Sequence, residues 1–192
     1  MTTLQGNGRK YLVVDLTAEK WDVRLLPLPL YEKYPGGEGL AVYLWSQFCG
    51  VSSSFDPLGP ENPLCLAAGA LAGTKTQCSN WISIVTKSPL TGALGTYSGN
   101  SPFAGALKRA GWDAVVVVGS ARRPMVVRIG TTEVEFKTSE RLIGLNCRQT
   151  VEALQLTPEE RALTIGQAGE NRVPFATVMS EGFPVGRGGA GA

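Results

Sequence analysis

Ala110-Gly111-Trp112-Asp113-Ala114-Val115-Val116-Val117-Val118-Gly119 is the stretch whose reading decides the fold. A strand that meets water on one face alternates apolar and polar residues. Ala114 to Val118 does not alternate, so both faces are expected to be buried in the middle of a sheet. Just upstream, Pro102 suits the first turn of a helix. Phe103, Ala106, Leu107 and Ala110 follow at helical spacing, with Lys108 and Arg109 expected to face water. Gly111 stops that helix. A helix delivering a buried strand therefore fixes the centre, and the other elements are placed around it.

Residues 10–16 and 21–26 read as two strands joined across Thr17-Ala18-Glu19-Lys20, a hairpin. Pro27, Pro29 and Pro35 are expected to break regular structure. A helix should open after Gly36-Gly37, with Leu40, Leu44 and Phe48 as its apolar stripe and Gly50 and Ser52-Ser53-Ser54 ending it. Leu64 to Gly69 reads as a strand buried on both faces. Trp81 to Thr86 is a strand with Ile82, Ile84 and Thr86 on one side, and Trp81 reads as a packed aromatic. Met125–Ile129 and Glu133–Lys137 form a hairpin around Gly130. A third helix spans Cys147 to Gln155, and Leu163–Ile165 and Phe175–Met179 are late strands. The fold class is α+β, with mixed β-sheets and a few short helices in one domain over 1–192. The strand–strand–helix rhythm recurs, which suggests an internal structural duplication, though no sequence repeat accompanies it.

Composition narrows the function. The chain of 192 residues has 43% apolar and 18% charged residues, enough for a core of its own. A net charge of +2 gives no argument for nucleic acid or membrane as partner. The run Ala114–Val118 is far too short to span a bilayer, and Met1 to Gly6 lacks a signal-peptide pattern, so a cytoplasmic location is expected. The four cysteines (Cys49, Cys65, Cys78, Cys147) form no CxxC pair and read as reduced thiols, mostly used in packing. There is no histidine, which removes the commonest general base and metal ligand. Chemistry at neutral pH must then come from carboxylates, thiols, a cofactor or another chain.

Glycine, at 24 residues, is the compositional outlier, and four glycine-bearing segments carry the candidate chemistry. Gly36-Gly37-Glu38-Gly39 opens the first long helix and suits close backbone approach to a ligand, or simply flexible entry to a helix. Thr86 to Ser101 places Lys87, Ser88, Gly99 and Asn100 in a long polar loop between a strand and a helix, suited to a phosphate or a hydrated cation. Gly166-Gln167-Ala168-Gly169-Glu170-Asn171 could contact a ligand or only stabilise its own turn. Gly186-Arg187-Gly188-Gly189-Ala190-Gly191 matches GxGxxG literally but lacks the strand–helix setting of a dinucleotide site. An anion-binding loop with Arg187 as charged donor is the better reading.

Taken in order, these segments resemble the aldehyde ferredoxin oxidoreductase family. Pro60-Glu61-Asn62-Pro63 running into Ala67-Ala68-Gly69 and Gly73-Thr74 is similar to that family's pattern. So are Thr86 to Gly92, Ala110 to Gly119, Gly166 to Asn171 (with Gln167 in place of a proline) and Gly186 to Ala192. The resemblance runs from about residue 9 to the last residue.

The resemblance implies an N-terminal domain that cradles two pterin dithiolenes holding tungsten or molybdenum, with a magnesium ion bridging the pterin phosphates. It implies oxidation of aldehydes to carboxylic acids, with electrons passing through a [4Fe–4S] cluster to ferredoxin or a similar carrier. The cluster ligands belong to later domains or a partner subunit, so the chain is expected to be truncated at its C-terminal end and inactive alone. Lys87, Ser88, Gly99, Asn100, Gly186, Arg187 and Gly188 are the expected cofactor-binding residues, with Asn100 at the bridging magnesium. No residue of this chain is expected to be catalytic. Three positions depart from the pattern: Glu38 in place of a basic residue, Trp81 in place of an arginine, and Ser98 in place of an asparagine. Those departures favour, as the alternative, a non-catalytic paralogue or split subunit acting in assembly.

Overall fold

The computed structural model describes residues 8–50 and 54–192. Its centre is the valine strand. In a six-stranded sheet of order β2-β1-β6-β3-β4-β5, β6 (Ala114–Val118) lies between β1 (Lys10–Asp15), to which it is parallel, and β3 (Leu64–Ala68), to which it is antiparallel. The outer pairs are two antiparallel hairpins, β1 with β2 (Lys20–Leu25) and β4 (Trp81–Lys87) with β5 (Leu94–Asn100). The first hairpin turns where expected because Asp15 Oδ1 accepts the N–H groups of Thr17 and Ala18 at 2.8 and 3.0 Å.

Each sheet face has its own core. On one face α2 (Gly37–Phe48) packs Leu40, Ala41 and Leu44 against Cys65, Ala67, Val85 and Val116. The spacing of Leu40 and Leu44 marked that stripe correctly. Of the residues expected to end the helix, Ser52 and Ser53 lie outside the described residues. On the other face α3 (Pro102–Arg109) packs Ala104 and Leu107 against Leu12, Leu66, Ile82, Ile84 and Val115. The prolines did not prevent helix formation after Leu26. Pro29 sits in the first turn of α1 (Leu28–Lys33), where the missing N–H would have had no partner anyway.

Lys108 corrects the reading of α3. It is buried, not solvated, and pairs with Asp113, which is fully buried at the start of β6. The physical reason is the aspartate. Its own N–H bonds Lys10 O at 2.8 Å and its carbonyl accepts Ala68 N–H at 3.0 Å, so Asp113 is stitched between β1 and β3. A carboxylate held there requires a cation beside it. Burial pushes the Asp113 carboxyl up, while Lys108 and the backbone amides of Lys10 and Arg9 pull it down.

The segment expected to be a long polar loop is instead a hairpin. After a turn at Ser88–Ala93, residues Leu94–Asn100 return as β5, paired along their full length with β4. Strand β4 is buried from Ile82 to Thr86 on both faces, where the sequence suggested partial alternation.

The remaining chain adds smaller pieces. Strands β7 (Met125–Ile129) and β8 (Val134–Thr138) form the expected hairpin. Helix α4 (Cys147–Leu154) begins with a capping box, Asn146 and Gln149 each accepting the other's backbone N–H at 3.0 Å. A three-stranded sheet joins β9 (Leu163–Thr164), β10 (Val178–Ser180) and β11 (Phe183–Val185), with α5 (Gln167–Glu170) between the first two. The expected strand at Phe175–Met179 is shifted to Val178–Ser180, and β11 had no counterpart in the sequence reading.

Exchanging β1, β2 and β3 with β4, β5 and β6 leaves the order of the large sheet unchanged when read from its other edge. Each hairpin is followed by a helix on the opposite face, the rhythm seen in the sequence. The third strands break the correspondence: β6 runs parallel to β1, whereas β3 runs antiparallel to β4.

Candidate functional site

The β5 edge is built from alternation. Ser101 N–H bonds Asn80 O and Ser88 N–H bonds Ala93 O, so the pairs between them that exchange backbone bonds are Ile82–Gly99, Ile84–Tyr97 and Thr86–Gly95. Thr96, Ser98 and Asn100 therefore turn their backbone N–H and C=O groups to the open edge of the sheet. Their side chains share the α2 face with Trp81, Ser83 and Val85 of β4. Ser83 Oγ and Ser98 Oγ lie 2.8 Å apart across that face.

Helix α2 starts beside this hydroxyl pair. Gly36 can lie against Ala68 and Ala70 only without a side chain, since a Cβ would overlap the Ala68 carbonyl and reach 2.9 Å from Ala70 N. A Cβ at Gly37 would lie 3.8 Å from Ser83 Oγ. No side chain caps the helix, so its first N–H groups stay available. Glu38 lines the groove formed with Tyr34, Val42 and Tyr43 between α1 and α2.

The glycine-rich segment wraps Tyr97 from the other face. Gly186 has φ +81°, and a Cβ there or at Gly188 would overlap Tyr97. Gly188 O accepts the Tyr97 hydroxyl at 2.9 Å and the buried Ser88 hydroxyl at 2.6 Å. Thr177 Oγ1 donates to Gly186 O. Between two fixed glycines, Arg187 is exposed and has no hydrogen-bond or ion-pair partner among the described residues.

The expected site residues thus fall into two sets. Ser88, Gly186, Arg187 and Gly188 come together with Tyr97, and Gly99 joins them, packed against Pro184 and Val185 of β11. Lys87 lies at the turn end of the hairpin, opposite Leu94; its Nζ donates to Phe55 O at 2.7 Å and sits 4.8 Å from the Phe55 ring centre. It also lines a cleft of about 250 Å³ with residues 57–60, Gly119, Ser120 and Gly189. Asn100 is at the far end, paired with Trp81. Six residue steps separate the two ends, roughly 20 Å of extended strand, so Lys87 and Asn100 do not share one ligand oxygen. Ser88 is engaged in holding the glycine loop.

Asn171 serves its own turn, its Nδ2 donating to Gln167 O at 2.7 Å, whereas Glu170 Oε2 accepts Gly144 N–H at 2.9 Å and ties α5 to the segment before α4. Trp81 is 47% exposed, which corrects its reading as a packed aromatic. Cys78 is exposed as well, unlike buried Cys65. Tyr97 and the Ser83–Ser98 pair were missed. Their signal was the two-residue alternation Tyr97/Gly99 against Ser98/Asn100, hidden by the glycines.

The donor set suits a flat, phosphate-bearing cofactor approached from the sheet edge. It supplies outward backbone N–H groups on β5, an uncapped helix start, two hydroxyls and one free guanidinium. Among the described residues no cluster of three or more His, Cys, Asp or Glu side chains could hold a metal ion, and no helix is long and apolar enough to cross a membrane.

Comparison with known proteins shows the family. The family described as aldehyde ferredoxin oxidoreductase, N-terminal domain, matches residues 11–192. A tungsten-containing aldehyde ferredoxin oxidoreductase of Pyrococcus furiosus is 35% identical over 193 residues, covering 98% of this chain and 32% of that protein. One from Thermococcus kodakarensis is 36% identical with the same coverage. The aliphatic sulfonate oxidoreductase WOR-like subunit of Pyrococcus furiosus is 34% identical, covering 97% of this chain and 32% of that protein. Among solved structures, the active-site complex BamBC of benzoyl coenzyme A reductase with 1,5-dienoyl-CoA superposes with TM-score 0.91 at 29% identity, over 97% of this chain and 29% of that chain. The chain spans about a third of the length of these relatives. With the open β5 edge and the glycine loop on Tyr97 in place, the chain belongs to the aldehyde ferredoxin oxidoreductase family, whose N-terminal domain it matches.

Proposed function

We propose that this chain is the cofactor base of a cytoplasmic tungsten- or molybdenum-bis-pterin oxidoreductase that converts aldehydes to carboxylic acids. The observation that carries the reading is the fixed glycine loop, which presents the unpaired Arg187 beside an open strand edge. Arg187 and the backbone N–H groups of Gly186 and Gly188 bind cofactor phosphate. The outward N–H groups of Thr96 and Ser98 orient it along β5, and Gly99 keeps that strand seated on β11. Asn100, at the Trp81 end, offers its amide oxygen to the bridging magnesium. Ser88 and Tyr97 hold the loop in shape, and Lys87 fixes the turn end of the hairpin. When bound, the metal–dithiolene group supplies the two-electron oxidation of aldehyde and water to carboxylic acid. This chain's residues bind and orient; none supplies a proton to the reacting carbonyl. A [4Fe–4S] cluster carried by further domains or a partner subunit would take the electrons on to ferredoxin or a similar carrier.

The likeness to a sulfonate oxidoreductase subunit and to a benzoyl-CoA reductase favours a second reading of the reaction. The same base would then serve another oxidation or reduction, with the substrate chosen outside this chain.

The test is elemental analysis for tungsten, molybdenum and phosphorus on the protein expressed anaerobically with both metals supplied. Cofactor binding predicts metal with matching phosphorus, and Arg187→Ala should lower both without lowering the melting temperature of the cofactor-free chain. If Arg187→Ala instead loses stability and keeps its metal, Arg187 is structural and the assignment is wrong.

A further inference from the structure

We propose that Trp81 is a ligand-binding residue whose indole is the platform on which the heterocyclic ring of the bound cofactor stacks. This rests on the reading of the β5 edge as a cofactor cradle and names the group that recognises the ring rather than the phosphate.

Trp81 begins a strand in which every residue from Ile82 to Thr86 is buried, yet it is itself 47% exposed. The other tryptophans are placed differently. Trp112 is buried with its N–H on Gly130 O at 2.8 Å, Trp45 is tilted against Phe55, and Trp21 lies on the opposite edge of the sheet. Trp81 makes no ring–ring or cation–π contact among the described residues.

Its neighbours on the same face are polar. Asn100 lies opposite in a pair that exchanges no backbone bonds, the arrangement that brings side chains closest. The Ser83–Ser98 hydroxyl pair follows two residues along. An indole that shares its sheet face with hydroxyls and an amide suits a partner with an apolar face and a polar rim, which is the chemistry of a nitrogen heterocycle. The Asn100 amide makes no side-chain hydrogen bond among the described residues, so with its oxygen on magnesium its NH2 group stays free to donate to a flat ring stacked on Trp81. An aromatic side chain on a fixed strand loses little freedom on binding, and stacking tolerates any flat ring.

The test is calorimetric titration of the full chain with three probes: 6-hydroxymethylpterin, its monophosphate and inorganic phosphate. Trp81→Ala should weaken both pterins roughly ten-fold while leaving phosphate binding unchanged, and Trp81→Phe should recover most of the loss. Arg187→Ala should weaken only the two phosphate-bearing probes. If Trp81→Ala binds both pterins as the wild type does while Arg187→Ala still loses phosphate, the cradle stands and the platform is refuted. If the wild-type chain binds none of the three probes, the platform falls together with the cradle.

Discussion

The two edges of the large sheet differ. Strand β2 carries Lys20, Asp22 and Arg24 in six residues, is exposed throughout, and has a guanidinium 5.3 Å from the Phe48 ring centre. Strand β5 carries no charged residue in seven. An exposed strand edge is a template for unwanted pairing, and charged side chains are the usual protection. Edge β2 is protected in that way. Edge β5 is left neutral, with its outward backbone groups open and a glycine loop clamped beside it. An unprotected edge persists at some risk to solubility, and the ligand proposed for β5 would cover this one. The contrast supports the proposed cofactor edge at β5 without appeal to any relative.

The largest expected effect strikes both edges together. Asp113 and Lys108 tie β1, β3 and β6, on which both hairpins depend. Lys108→Met leaves a buried carboxylate without its cation and should cost about 3–5 kcal/mol at neutral pH. Urea unfolding should show one transition moved to lower midpoint, with both hairpins losing amide protection equally. Adding Asp113→Asn should recover over half of the loss. If one hairpin kept its protection while the other lost it, the edges would be independent and the comparison would be between two units, not two sides of one sheet.

A smaller change should separate the edges. Tyr97→Phe removes the hydroxyl that Gly188 O accepts at 2.9 Å and leaves the Ser88 bond in place. The cost should be about 1 kcal/mol by thermal unfolding. Faster amide exchange should be confined to residues 186–191 and β5, with β1 and β2 unchanged. Arg187 would be presented less firmly, so phosphorus content should fall more than stability does.

The difference between the edges also shows what the sequence reveals. The β1–β2 hairpin was legible because Asp15 and Thr17 announce its turn and apolar residues fill β1. The valine run was legible because a continuous apolar stretch has no stable place except a sheet centre. Strand β5 was not, since Gly95, Gly99 and Asn100 each disfavour a strand. It is one because β4 pairs with it and Tyr97 packs beneath the glycine loop. That Arg187 sits in a glycine loop could be read in advance because its setting is local. The exposure of Trp81 could not, because whether the first residue of a strand is covered depends on what packs over that face. For Lys108, the cue was Asp113: an aspartate at the threshold of a buried strand asks for a cation nearby.

The smallest expected effect lies on neither edge and so serves as the control. Arg128 on β7 makes two bonds to Glu160, at 2.5 and 2.9 Å, and Thr157 N–H adds a third at 2.8 Å. Arg128 first, then the Thr157 amide, hold the Glu160 carboxyl down at about 2, from an ordinary value of 4.5. A depressed folded value means that the stabilisation is complete above pH 4.5 and is lost as pH falls toward 2. The pair is partly exposed, so its worth is discounted for solvent to roughly 0.5–1 kcal/mol. Glu160→Gln should therefore lower stability at pH 7 by that amount and hardly at all near pH 2. Amide protection should fall at β7, β8 and Thr157 and be unchanged in β2 and β5. Equal losses at both pH values would mean that the side chain acts through shape and neutral hydrogen bonds instead of charge.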